Sequence, residues 1–95
     1  MKISYDPRKN LRNVAGRGLS FERAADLEWE TAYIMEDARE NYPERRFVAT
    51  GYLDGRLHVL CFTPAGDGIR VISFRKANKR ETRRYEEATQ TPHRS

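Results

Sequence analysis

Apolar residues recur along this chain with two different periods, and each change of period marks an element. Lys2 to Tyr5 is a short strand-like run, and Asp6-Pro7 then offers a side-chain acceptor at an N-cap and a proline at the first helical position. Leu11, Val14 and Ala15 return at helical spacing, which predicts an amphipathic helix with that face inward, stopped by Gly16-Arg17-Gly18. Ser20 caps a second predicted helix, with Phe21, Ala24, Ala25 and Leu27 or Trp29 toward the core. Thr31 to Met35 is β-prone, and the polar stretch from Asp37 to Arg45, interrupted by Pro43, reads as a loop.

Two clear strands follow, Arg46 to Leu53 and Leu57 to Thr63, and Asp54-Gly55 between them suits the positive φ angles of a tight hairpin. Pro64 to Gly68 is a second turn into a strand from Ile69 to Phe74, which completes an antiparallel meander. Strict alternation there puts Arg70, Ile72 and Phe74 on one face and Val71, Ser73 and Arg75 on the other, so the two arginines point apart. Asn78 followed by Glu81 resembles a capping box, opening a last helix through Ala88 with only Ala77, Tyr85 and Ala88 for apolar contact. The expected fold is α+β: two N-terminal helices packed on a twisted antiparallel sheet, with a basic C-terminal helix.

With 95 residues, 38% hydrophobic and 34% charged, the chain suits one domain, expected over residues 1–88, with residues 89–95 as a flexible tail. A core this small leaves little room for a large cofactor cavity. Cys61 stands alone, which excludes an internal disulfide framework and favours a reducing compartment. No run approaches the ~20 apolar residues that span a bilayer, and the first residues lack the apolar stretch of a signal peptide. A soluble, untargeted, cytoplasmic protein is therefore expected.

Charge changes the picture more than composition does, because the net charge of +4 hides a polarity along the chain. Residues 22–44 carry eight acids against Arg23 and Arg39, whereas residues 70–84 carry Arg70, Arg75, Lys76, Lys79, Arg80, Arg83 and Arg84 against Glu81. So dense a cationic segment attracts polyanions, nucleic acid above all, unless it is merely a solvated helix face. Lys79 and Arg80 in the first turn of the last helix oppose its dipole, so local stability does not explain them.

The remaining chemistry is sparse. His58 lies inside a strand, His93 near the end and Cys61 in the hairpin, so no zinc site is expected. Neither Gly16-Arg-Gly18 nor Gly66-Asp-Gly68 has the spacing of a nucleotide-binding loop, and no cofactor is implied. A single strand histidine is more often structural than catalytic, and Cys61 reads as a small apolar residue. Cleaving RNA without a metal requires a base for the 2′-hydroxyl, cations for the phosphorane and an acid for the departing 5′-oxygen. Cations abound here and acid-base histidines do not, which leaves lysine, tyrosine or glutamate to carry protons.

Several short motifs in order resemble one family. They are Tyr5-Asp6-Pro7-Arg8-Lys9-Asn10, Asn13 with Gly18-Leu-Ser-Phe21-Glu-Arg-Ala24, Glu36-Asp37, Glu44-Arg45-Arg46-Phe47, Gly51, Arg70-Val-Ile-Ser73, Arg75-Lys76-Ala77, and Lys79-Arg80-Glu81 with Arg84-Tyr85. Over residues 3–87 the chain resembles the BrnT toxins of bacterial type II toxin-antitoxin systems, ribonucleases with a RelE-like fold. One position departs: Arg17 stands where that family commonly has histidine, which removes an acid-base group and leaves a phosphate-binding one. The resemblance implies a cytoplasmic endoribonuclease that stops translation, neutralised by a BrnA-like antitoxin. It further implies two toxins with an antitoxin dimer, operator DNA being bound only through the antitoxin.

The candidate site residues follow. Arg70 and Arg75 are expected on the scissile phosphate, Lys9 as a phosphate contact or proton carrier, and Tyr85 as a stacking or acid-base group. Lys76, Lys79, Arg80, Arg84 and Arg17 are expected to grip RNA. Against these stand structural readings: Arg70 bridged to Asp37 or Glu36, Lys9 and Arg80 as solvated surface, Tyr85 as a core anchor, Glu81 as a cap. The rival from another class is a non-catalytic module whose basic helix docks on an acidic protein or on DNA, or an inactivated toxin.

Overall fold

In a computed structural model that describes residues 1–90, the chain runs β1 (Lys2–Tyr5), α1 (Pro7–Arg17), two 3-10 segments (Phe21–Asp26 and Trp29–Thr31), β2 (Tyr33–Glu36), β3 (Phe47–Leu53), β4 (Arg56–Ala65), β5 (Gly68–Lys76) and α2 (Lys79–Thr89). Local chemistry explains the boundaries. Asp6 accepts a hydrogen bond from the Arg8 N–H at 2.9 Å, and Gly18 closes α1 in the left-handed region at φ 64°. Asp54 and Gly55 sit at φ 51° and 76°, the geometry that a two-residue hairpin demands. Asn78 and Glu81 complete the capping box from both sides. Thr89 belongs to α2, and residues 91–95 of the expected tail lie outside the described residues.

The sheet has five strands in the order β1-β5-β4-β3-β2. The β3-β4-β5 meander is antiparallel as expected, but β1 pairs in parallel with β5, so the sheet is mixed rather than wholly antiparallel. Gly68 makes that pairing possible: a Cβ there would lie 1.9 Å from the Lys2 carbonyl oxygen. At the opposite edge β2 leaves Tyr33, Ile34 and Met35 exposed. No helix among the described residues is long and apolar enough to cross a membrane.

Three expectations are corrected here. The N-terminal α-helix is single, because the segment after Ser20 is a 3-10 helix of six residues, which ends where the chain must turn at Leu27. The predicted inner face of α1 is also wrong: Leu11 is 68% exposed, Val14 43% and Ala15 is exposed, while Asn13 is the buried residue; after Ser20, Phe21, Ala24 and Leu27 are buried as expected and Ala25 is not. This helix docks through amides rather than methyl groups. Asn13 Nδ2 donates to the Leu19 carbonyl at 2.8 Å and the Phe74 carbonyl at 3.0 Å, and Asn10 Oδ1 accepts from the Phe21 N–H at 2.8 Å.

The third correction concerns β5. The register slips between Cys61 and Phe62, which face Ser73 and Val71 respectively, so Ile72 is the extra residue of a bulge. Ile69, Val71 and Phe74 therefore all turn into one core with Phe21, Ala24, Leu27, Leu60 and Phe62. Arg70 and Arg75, cross-strand from Thr63 and Val59, share the other face instead of pointing apart. On that second face α2 covers Tyr52, Leu57 and Val59 with Ala77 and Tyr85.

Candidate nucleic-acid interface

Asn13 ties α1 alongside β5, and a cleft opens near each end of the helix. Lys9 and Arg17 are eight residues apart on α1, roughly 12 Å at the helical rise. The larger cleft, about 760 Å³, is lined by Arg17, Arg56, His58, Arg75 and Lys76 over an apolar floor from Leu19 and Leu53. The smaller, about 230 Å³, brings together Lys9, Arg46 and Arg70 with Glu44 and Thr63. The first has the size of a ligand site, whereas the second falls below that range.

Salt bridges sort the cations. Arg23 holds Asp26 and Asp54, Arg39 holds Asp37, Arg45 holds Glu36, and Arg75 grips Glu81 through two 2.8 Å bonds. Asp37 and Glu36 are thus occupied, and Arg70 does not bridge to either. Of the cations that line the two clefts, Lys9, Arg17, Arg46, Arg56, Arg70 and Lys76 make no salt bridge among the described residues. Arg17 donates to Asn13 Oδ1 at 3.4 Å, and the Arg46 guanidinium lies 4.1 Å over the Tyr42 ring. Cations without a salt-bridge partner remain available to an anion, although Asp6 and Glu44 also line the small cleft.

The expected residues do not converge on one pocket. Lys9 and Arg70 meet in the small cleft, and Arg17, Arg75 and Lys76 in the large one. Lys79 and Arg80 are exposed at the start of α2 and line neither, while Arg84 borders a groove with Tyr33 and Met35. Tyr85 is 3% exposed, packs edge-on to Tyr52 and donates its hydroxyl to the Thr31 carbonyl at 2.8 Å. It is the apolar anchor of α2, and no base can stack on it while α2 is in place.

Arg75 likewise has a structural partner. Its guanidinium, with the Asn78 N–H, lowers the Glu81 carboxyl from 4.5 to about 2. A carboxyl held down in the folded state adds stability above its ordinary value and loses it as pH falls toward the folded value. We expect wild-type stability to drop between pH 4.5 and 2, and Glu81→Gln to flatten that drop in urea titrations. Because Arg75 is 39% exposed, water screening limits the ion pair to about 1 kcal/mol or less. Unchanged acid sensitivity in Glu81→Gln would refute the linkage.

Arg46, Glu44, Arg56 and His58 were not among the expected residues, although hairpin register points to Arg46. The Asp54-Gly55 turn sets Phe47 opposite Phe62, leaving Arg46 beside Thr63, and Thr63 faces Arg70. His58 is 5% exposed; burial pushes its imidazole below the ordinary value. Burial also pushes the half-buried Cys61 thiol up, away from reactivity. No group of three or more His, Cys, Asp or Glu with metal-holding geometry occurs among the described residues.

Comparison with known proteins gives one family. The search of curated proteins returned no match. A family model described as the ribonuclease toxin BrnT of a type II toxin-antitoxin system matches residues 5–81, which span every cation that lines the two clefts. Two cationic clefts on an α+β frame suit such an activity, and the extent of the match decides the matter: the chain belongs to the BrnT family of type II ribonuclease toxins.

Proposed function

We propose that this toxin cuts RNA internally in the cytoplasm without a metal ion, and that residues 1–88 act as one catalytic domain. The strand lies along α1 and β5. Lys9, Arg46 and Arg70 hold one phosphate, Arg17 and Lys76 hold another, and Lys79, Arg80 and Arg84 attract the flanking chain. Arg75 contributes charge to the large cleft while it braces α2. The observation that carries this reading is the sorting of charge: six cations without salt-bridge partners among the described residues line two clefts near the ends of one helix.

Neutralisation follows from the same field. A BrnA-like antitoxin dimer that binds two toxins would bring carboxylates over both clefts, and would itself carry the contact to operator DNA. Incubating EDTA-treated toxin with RNA tests the reading. Cleavage should persist, and binding should weaken steeply with salt, with a slope of about −0.7 per neutralised phosphate on single strands. RNA that is shifted in a gel but never cut would leave a binding module and remove the nuclease.

A further inference from the structure

The proposed cleavage needs a proton acceptor, and the buried Tyr85 is not available to supply one. We propose that His58 is the general base, taking the proton of a ribose 2′-hydroxyl through Nε2 in the large cleft. This inference rests on the ribonuclease reading above and names a residue that reading leaves out.

The ring geometry assigns the nitrogens. His58 Nδ1 lies 2.7 Å from the Arg56 carbonyl oxygen, which can only accept, so Nδ1 carries the hydrogen and Nε2 the free lone pair. Nε2 has no hydrogen-bond partner, yet no buried side-chain nitrogen or oxygen among the described residues lacks one. Nε2 is therefore not sealed in the core, and the large cleft is the space that His58 lines. The ring is braced from behind by Phe74, with centroids 5.6 Å apart.

The surroundings favour the neutral, basic form. Lys76 is the cross-strand neighbour of His58, Arg56 lies two residues away, and Arg17 and Arg75 line the same cleft, while Asp54 there is paired with Arg23. Burial is the largest influence and lowers the imidazole from 6.5; its bond to the Arg56 carbonyl, next in size, raises it, the charges of Arg56 and Lys76 lower it further, and Asp54 raises it least, so the net direction is down. A base that stays unprotonated at neutral pH among cations that can hold a phosphorane is the pairing this reaction requires.

The step balances. Nε2 accepts the 2′-hydroxyl proton as O2′ bonds to phosphorus and the bond from phosphorus to O5′ breaks. Water in the open cleft protonates the departing O5′, and the imidazolium returns its proton to solvent. The products are a 2′,3′-cyclic phosphate and a 5′-hydroxyl.

His58→Asn is the test, because an asparagine amide can still donate to the Arg56 carbonyl while Nε2 is lost. With RNA as substrate we expect kcat to fall about 10²- to 10³-fold, KM to stay within about twofold, and the acidic limb of the pH-rate profile to vanish. In wild type that limb should lie below pH 6.5. Exogenous imidazole should restore part of the activity of His58→Ala. If wild type cuts RNA and His58→Asn matches it in kcat and pH profile, the base is elsewhere and only this inference falls. If wild type cuts RNA with no limb below pH 6.5, it falls even should the variants not fold. If wild type leaves RNA intact, the ribonuclease reading falls too.

Discussion

Replacing Lys9 and Arg70 together with alanine is expected to cut RNA cleavage by about 10²- to 10³-fold in kcat/KM while leaving the fold intact. Both side chains line the small cleft, both are exposed, and neither has a carboxylate partner whose charge would be stranded by the substitution. Surface changes of that kind shift stability by about 0.5 kcal/mol or less. The salt slope of RNA binding should flatten by about 0.7 for each phosphate that is no longer neutralised. Growth arrest in cells, cleavage of purified RNA and urea unfolding of the double variant together provide the check. Undiminished cleavage by a folded double variant would place the reaction away from this cleft. Arg75→Ala is a poorer probe of chemistry, because it also breaks the bond that braces Glu81 and the start of α2.

Phe74→Ala should cost about 3–5 kcal/mol, a large share of the roughly 5–15 kcal/mol that holds a domain of this kind together. The ring is 1% exposed, sits in the main core with Leu60 and Val71, and backs His58. Its backbone carbonyl receives the Asn13 amide that fastens α1 to β5, so a collapse around the missing ring also disturbs the frame between the two clefts. Urea unfolding would show a lower midpoint at unchanged slope. A loss below about 1 kcal/mol would mean that the core does not depend on this strand in the way its burial implies.

Phe74 also shows where pattern reading breaks down. A period of two is legible in any strand, but a bulge changes its phase without changing its composition, and nothing in Arg70-Val-Ile-Ser-Phe-Arg75 announces the extra residue. The consequence is concrete: the two arginines lie on the same face rather than opposite ones. α1 misleads for a different reason. Leu11 and Val14 carry the apolar signal, yet the helix is held by Asn10 and Asn13, whose amides find backbone partners only after distant segments have come together. The site was partly legible. Lys9 and Arg70 were identified by residue type, but Arg46 required the hairpin register, and His58 was set aside because a strand position does not reveal which nitrogen meets a cleft.

What this sequence determined by itself is what short-range chemistry controls: the Asp6-Pro7 start, the Gly18 stop, the Asp54-Gly55 hairpin, the Asn78-Glu81 cap and the segregation of charge. Each depends on groups within a few residues of one another, so each survives in the linear order. The tertiary structure alone decided which cations are free and which are tied. Asp54 ties Arg23 from 31 residues away, and the small cleft forms where α1, β5 and the segment before β3 meet, bringing Lys9, Arg46 and Arg70 together. A charge acquires its chemical role from what lies within a few ångströms of it, and for these side chains that neighbourhood is assembled from residues far apart along the chain.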